Sequence, residues 1–156
     1  MEQLQAPGSG EIRIDREGCW YYNGAQIVHQ AILDLFNASI EHDGSGGYRL
    51  RIGQETNPIV VEDTPYVVTH IEPELSGAGV SGFTIRLSDG TREMLCLESL
   101  FISPDNIPYC RVKSGSFPAR FLRSPYYDLA GHIQQDAEGF YLRLSGIKHS
   151  IQYRDR

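Results

Sequence analysis

The chain has 156 residues, a formal net charge of −6, 40% hydrophobic and 22% charged residues. That length buries one good core or two small ones sharing an interface, and the composition is that of an ordinary globular protein. No apolar run approaches the roughly 20 residues needed to cross a bilayer, and an acidic chain is a poor general nucleic-acid binder, because that affinity comes mostly from neutralising phosphates.

The charge is unevenly spread. Residues 1–110 carry 6 Lys/Arg against 16 Asp/Glu, whereas residues 111–156 carry 8 against 4. The basic segment can hold an anion, or it can complement the acidic part within one fold. Three cysteines, Cys19, Cys96 and Cys110, are an odd number at wide spacing. They argue against a disulfide framework and a paired-thiol zinc site, and read as small buried hydrophobes in strands.

The leader "MEQLQAPGSG" (1–10) is polar and lacks the charged-then-apolar pattern of a secretion signal, so it is expected to be disordered and the protein cytoplasmic. In "EIRIDREGCWYYNGAQI" (11–27), Ile12 and Ile14 alternate before a turn at "DREG", and Trp20 and Tyr22 resume the alternation: a hairpin. From Val28 to Glu41 the apolar positions Val28, Ile32, Leu35, Phe36 and Ile40 recur at three- and four-residue steps, which predicts a helix. The glycines of "GSGG" (44–47) would end it before the strand "YRLRIG" (48–53).

Strands are predicted in "NPIVVEDTPYVVTHIE" (57–72) and on both arms of "GFTIRLSDGTREMLCLESL" (82–100), where Asp-Gly suits a tight turn. "PELSGAGVSG" (73–82) is glycine-rich and reads as a linker, which sets two parts at 11–74 and 75–156. Short strands follow in "NIPYCRVK" (106–113) and "SFPARFL" (116–122). In "SPYYDLAGHIQQ" (124–135) Ser124 is placed to cap a helix with Pro125 at its first position and Tyr126, Leu129, Ala130 and Ile133 as its buried stripe. "GFYLRLSG" (139–146) is a strand and "YRDR" a frayed end. The fold class is therefore α+β and strand-rich.

The halves resemble each other. Asp34-Leu35 answers Asp128-Leu129, Ile40 answers Ile133, Asp43 answers Asp136, and Leu50-Arg51 answers Leu142-Arg143, at a separation drifting only from 94 to 92 residues. Duplication explains this, and so does convergent helix-turn-strand chemistry.

No catalytic signature is present. "GAGVSG" (77–82) matches G-x-G-x-x-G, but a strand follows it instead of a helix, so no helix dipole faces a phosphate. The histidines do not combine with Cys or Glu at ligand spacing, and no metal or other cofactor is expected. Glu62 and Asp63 interrupt an apolar strand, where one can project into a cleft or both can defend a bulge or edge. Arg111, Lys113, Arg120 and Arg123 lie close to Tyr126 and Tyr127, and strand alternation sets Arg111 and Lys113 on one face. Guanidinium, ring and free helical amides together can hold a phosphate or base; salt bridging to the acidic part is the plainer account. Trp20 beside two tyrosines is a core residue or a ring platform.

The segments "IRIDREGCWYYNGAQI", "LDLF", "DGSGGYRL", "VEDTPYVV", "IPYCRVKSG" and "RSPYYDLAG", in that order, resemble the bacterial domain-of-unknown-function family DUF1285 over about residues 10–146. The resemblance implies a two-part fold with repeated motifs, a C-terminal part resembling a pleckstrin-homology-like barrel capped by a helix, and a signalling role. It also implies a site for a nucleotide-like molecule at the interface of the parts, with Glu62, Asp63, Tyr109, Arg123 and Tyr127 on positions of the family pattern. The chain departs from that pattern near "IGQE" (52–55) and at "YLRLSGIKHSI" (141–151), and a ligand pocket that used that last strand would differ or be absent in this protein.

The expectation is a non-catalytic regulatory module. Arg111, Arg120 and Arg123 would meet a small anionic ligand, Trp20 or Tyr127 would pack its ring, and Glu62 or Asp63 would orient the arginines or accept from a base or sugar. The alternative is a protein-interaction domain without a small ligand. An enzyme would rest only on the unassigned carboxylates and arginines.

Overall fold

The computed structural model describes residues 10–155, so the expected leader lies outside the described residues apart from Gly10. The chain divides after Pro65 into two compact units. The predicted linker at 73–82 is instead the far end of a long hairpin, with β7 at Tyr66–Ser76 and β8 at Gly79–Leu87. Its glycines serve the turn, where Gly79 sits at φ 99°.

In the first unit, β1 (Ile12–Ile14) and β2 (Trp20–Tyr22) form the predicted hairpin, with Ile14 opposite Trp20. β3 (Ala25–Gln26), β4 (Ile40–His42), β5 (Tyr48–Ile52) and β6 (Glu55–Val61) complete a sheet of order β3-β2-β1-β6-β5-β4, in which β1 and β6 run parallel. Ile12, Ile14, Trp20, Phe36, Ile40, Leu50 and Ile59 are buried.

Helix α1 spans Gln30–Asn37, shorter than predicted at both ends. The Ser39 hydroxyl donates to the Leu35 carbonyl at 2.6 Å, and the Ala38 and Ser39 amides donate to Asp34 and Phe36, which closes the helix. Ile40 then pairs with Leu50 in the β4–β5 ladder. Its four-residue step from Phe36 fitted a helix, but its burial is that of a strand residue.

In the second unit, β9 (Arg92–Met94) pairs with β8 around the "SDGT" turn, as predicted. A 3-10 turn at Leu97–Ser99 leads to β10 (Phe101–Ile102), β11 (Pro108–Val112) and β12 (Phe117–Phe121). Helix α2 (Arg123–Ala130) packs against β7, and β13 (Gln134–Asp136), β14 (Gly139–Leu144) and β15 (Ile147–Ser150) form a separate three-stranded sheet. The expected frayed end begins within β16 (Gln152–Tyr153), which pairs parallel with β10, and the Arg154 guanidinium lies 3.9 Å from the Phe101 ring centre.

The larger sheet has the order β16-β10-β11-β12-β7-β8-β9 and stays open at both edges, so no closed barrel exists among the described residues. α2 also starts earlier than predicted. Leu122 is its N-cap, without a side-chain capping bond, and Ser124 lies inside the helix. Of the predicted stripe, Leu129 is buried while Ala130 is exposed. The cysteines divide too: Cys110 is buried, Cys19 half-buried and Cys96 exposed.

The internal similarity has a structural counterpart. An eight-residue helix, α1 or α2, precedes three consecutive antiparallel strands, β4-β5-β6 in one unit and β13-β14-β15 in the other. Asp43 accepts from the amides of Ser45 and Gly47, and Asp136 accepts from that of Glu138, so each carboxylate organises its own hairpin turn. Leu50 and Leu142 are both buried, and their neighbours Arg51 and Arg143 are exposed.

The β8–β9 turn is tied to the β11–β12 turn by Lys113, whose Nζ donates to Asp89 Oδ2 at 2.5 Å and lies 5.0 Å from the Tyr66 ring centre. Burial pushes the Asp89 carboxyl up, but the Lys113 and Thr91 donors outweigh it and hold the group below its ordinary range. A depressed folded value stabilises above the unfolded pKa of about 4 and is lost as the pH falls through the folded value. Asp89→Asn should therefore cost about 1–3 kcal/mol at neutral pH. Urea titrations should show that difference undiminished down to about pH 5 and shrinking below about pH 4.

Candidate functional site

The β7–β8–β9 ladder sets two arginines and a histidine side by side on one face. Along β8, Phe83, Ile85 and Leu87 alternate into the core, which leaves Thr84 and Arg86 on the other face. Arg86 lies opposite Arg92 of β9 and opposite His70 of β7, and residues directly opposite in an antiparallel ladder share a face. His70, Arg86 and Arg92 thus make one transverse row, and Glu72, Thr84 and Met94 make the next.

His70 owes its place to an irregularity in β7. Val68 pairs with Leu87, and the next pair is His70 with Arg86, so Thr69 is an extra residue. A regular ladder would set Thr69 against Arg86 and turn His70 toward the core face; the bulge re-aims it. The Thr69 hydroxyl donates to the Arg86 carbonyl at 3.2 Å and lies 3.0 Å from His70 Nδ1, which ties the imidazole to the bulge.

The row lines a cleft of about 60 Å³ whose walls are His70, Ile71, Glu72, Thr84, Ile85, Arg86 and Arg92. Among the described residues, no hydrogen bond or ion pair engages the guanidinium of Arg86 or Arg92. Of the nearby carboxylates, Glu74 accepts from the Thr84 hydroxyl at 2.7 Å and Glu93 from the Lys113 amide at 3.2 Å, while Glu72, in the cleft wall, is bonded to neither arginine among the described residues. Two like charges directly opposite each other destabilise a ladder, so this pair is poised for an anion. No group of three or more His, Cys, Asp or Glu side chains among the described residues is placed to hold a metal ion.

The residues singled out from the sequence lie elsewhere. Trp20, Glu62 and Asp63 belong to the first unit, and Arg111, Arg120, Arg123 and Tyr127 to the second. Trp20 is 1% exposed, donates from Nε1 to Asn37 Oδ1 at 3.0 Å and packs against Phe36, so it is core and offers no ring platform. Glu62 is held by Arg16, whose Nη2 donates at 2.8 Å, and that bond keeps its carboxyl below the usual range. Asp63 is half-buried just after β6.

Arg111 is exposed and donates from Nε to the Gly115 carbonyl at 3.0 Å, bracing its own turn. Arg120, half-buried, pairs with Tyr109 across β11–β12, so Arg111, Tyr109 and Arg120 share a sheet face. Lys113 does not continue that face: it sits in the turn at φ 57°. Arg123 opens α2 and is exposed, one helical turn from Tyr127, which is 63% exposed beside Tyr126. Sequence reasoning missed His70, Arg86 and Arg92. The only available signal was a pair of arginines flanking "SDG" at equal steps from the turn.

The molecule is a strand-rich α+β protein of two units, with a cationic row on the open sheet of the second. Two solved structures share this fold. A DUF1285 family protein from Silicibacter pomeroyi DSS-3 matches at 24% identity over 96% of this chain and 85% of its own, with a TM-score of 0.73. A DUF1285 family protein from Shewanella baltica OS155 matches at 21% identity over 79% of this chain and 92% of its own, with a TM-score of 0.62. The chain thus has the DUF1285 fold, in keeping with the resemblance of its motifs. No family model and no curated protein matches it.

Proposed function

We propose that this protein is a DUF1285-family regulatory module, cytoplasmic and non-catalytic, that binds a small anionic ligand on the second unit. The observation that carries this reading is the facing pair Arg86 and Arg92, with no carboxylate bonded to either among the described residues. His70 extends the row and the cleft beneath admits a charged head group. No helix among the described residues is long and apolar enough to cross a bilayer. The pleckstrin-like comparison draws its support from a mixed, mostly antiparallel sheet with α2 packed on β7, in an open rather than closed form.

The test is thermal melting and calorimetry of the full chain with inorganic phosphate, sulfate and a nucleotide panel. A ligand at one hundred times its dissociation constant should add about 2.7 kcal/mol of stability. Unchanged melting across the whole panel would overturn the reading.

A second reading, a protein-interaction domain, is favoured by β9. It is an edge strand of three residues with Met94 57% exposed, and the hairpin leading to it exposes Leu75 at 75%. Edge pairing would lend a partner main-chain hydrogen bonds. A partner that survives charge reversal at Arg86 and Arg92 would favour this reading over the anion site.

A further inference from the structure

The row beside the cationic one narrows the ligand. Glu72 lines the same cleft, yet no bond to Arg86 or Arg92 ties it down among the described residues. Its cross-strand neighbour Thr84 cannot serve it, because that hydroxyl already donates to Glu74 at 2.7 Å. Glu72 therefore presents an acceptor-only carboxylate, two residues along β7 from His70 and so roughly 7 Å from the cationic row.

The cleft itself limits what is enclosed. At about 60 Å³ it encloses only a small group, whereas pockets that bury whole drug-sized ligands run to roughly 300–1,000 Å³. Recognition must come from polar contacts. Two guanidiniums and an imidazole stand side by side in one row along the cleft. Tetrahedral phosphate offers three terminal oxygens and up to two charges to such a set, while a carboxylate offers two oxygens and one charge. A bare inorganic anion would gain nothing from Glu72, which repels it. A ligand that places a hydroxyl donor a few bonds from its phosphate turns that carboxylate into a contact.

Resting on the anion-site reading above, we infer that the ligand is a phosphate monoester of a polyhydroxylated carbon chain. Its phosphate is held by Arg86 and Arg92, and a neighbouring hydroxyl donates to Glu72.

The experiment compares methyl phosphate with glycerol 3-phosphate by calorimetry, on the full-length protein and on Glu72→Ala. Both probes carry a monoester phosphate, and only the second carries hydroxyls. Glu72 is exposed, so its replacement leaves the fold intact, which circular dichroism and the melting curve verify. The expected result is glycerol 3-phosphate binding about tenfold tighter than methyl phosphate, the worth of one charge-assisted hydrogen bond. In Glu72→Ala that advantage should vanish while methyl phosphate binds equally or more tightly. Equal binding of the two probes to the unaltered protein would overturn the inference and leave the anion site standing. An advantage that survives in Glu72→Ala would also overturn it, since the hydroxyl would then be read elsewhere. Failure of both probes to bind would remove the anion site as well.

Discussion

Replacing Arg92 by Gln should lower affinity for inorganic phosphate ten- to a hundredfold and leave the empty protein no less stable. The two effects have opposite signs for one reason. In the unliganded ladder Arg86 and Arg92 face each other without a bonded carboxylate among the described residues, so deleting one charge relieves a repulsion of about 0.2–1 kcal/mol. In the complex the same side chain supplies a charge-assisted hydrogen bond, whose loss costs about 1.5–3 kcal/mol. Calorimetry with phosphate and melting curves without it separate the two, and Arg86→Gln should behave alike. Added neutral salt should stabilise the unliganded protein and narrow the stability difference between it and the variants, because it screens the repulsion. An Arg92→Gln protein that melts lower and binds phosphate unchanged would mark the pair as structural.

Trp20→Ala should cost about 3–5 kcal/mol, a large part of the 5–15 kcal/mol that holds a typical domain together. The side chain is 1% exposed, its ring centre is 5.3 Å from that of Phe36, and its indole N–H is bonded to Asn37. Truncation empties a large volume and removes the Trp20 donor from Asn37 together. Urea unfolding should show a lower midpoint at unchanged slope. A loss below about 1 kcal/mol would contradict the placement of Trp20 in the core. Had Trp20 been the ring platform suggested by its tyrosine neighbours, its replacement would have weakened ligand binding and spared the fold.

These two residues illustrate where sequence reasoning succeeds. Trp20 followed from strand alternation in "EIRIDREGCWYYN", because period-two burial is local and survives any arrangement of the rest. Of its two readings the core one holds. Of the arginines picked out by clustering in sequence, Arg111 and Arg120 share a sheet face, whereas Arg123 lies on α2. Arg111 braces its own turn, Arg120 lies across from Tyr109, and Arg123 opens α2. Nearness along the chain says little about which side chains share a sheet face when turns such as Lys113–Gly115 intervene.

Local chemistry alone determined the hairpins at "DREG" and "SDGT", the strand-rich composition of the fold and the repeated order of helix, Asp-Gly turn and strand, because turn preference and apolar period act within a dozen residues. It also placed both helices, though not their ends, since Ile40 satisfies a helical step and a strand pairing equally and only the β4–β5 ladder chooses between them. The cationic row was decided by tertiary structure. His70 and Arg92 are 22 residues apart in the sequence, and they meet on one face because Thr69 is squeezed out of register in β7. Bulges depend on how two strands seat against a shared core, and no single strand's sequence carries that information.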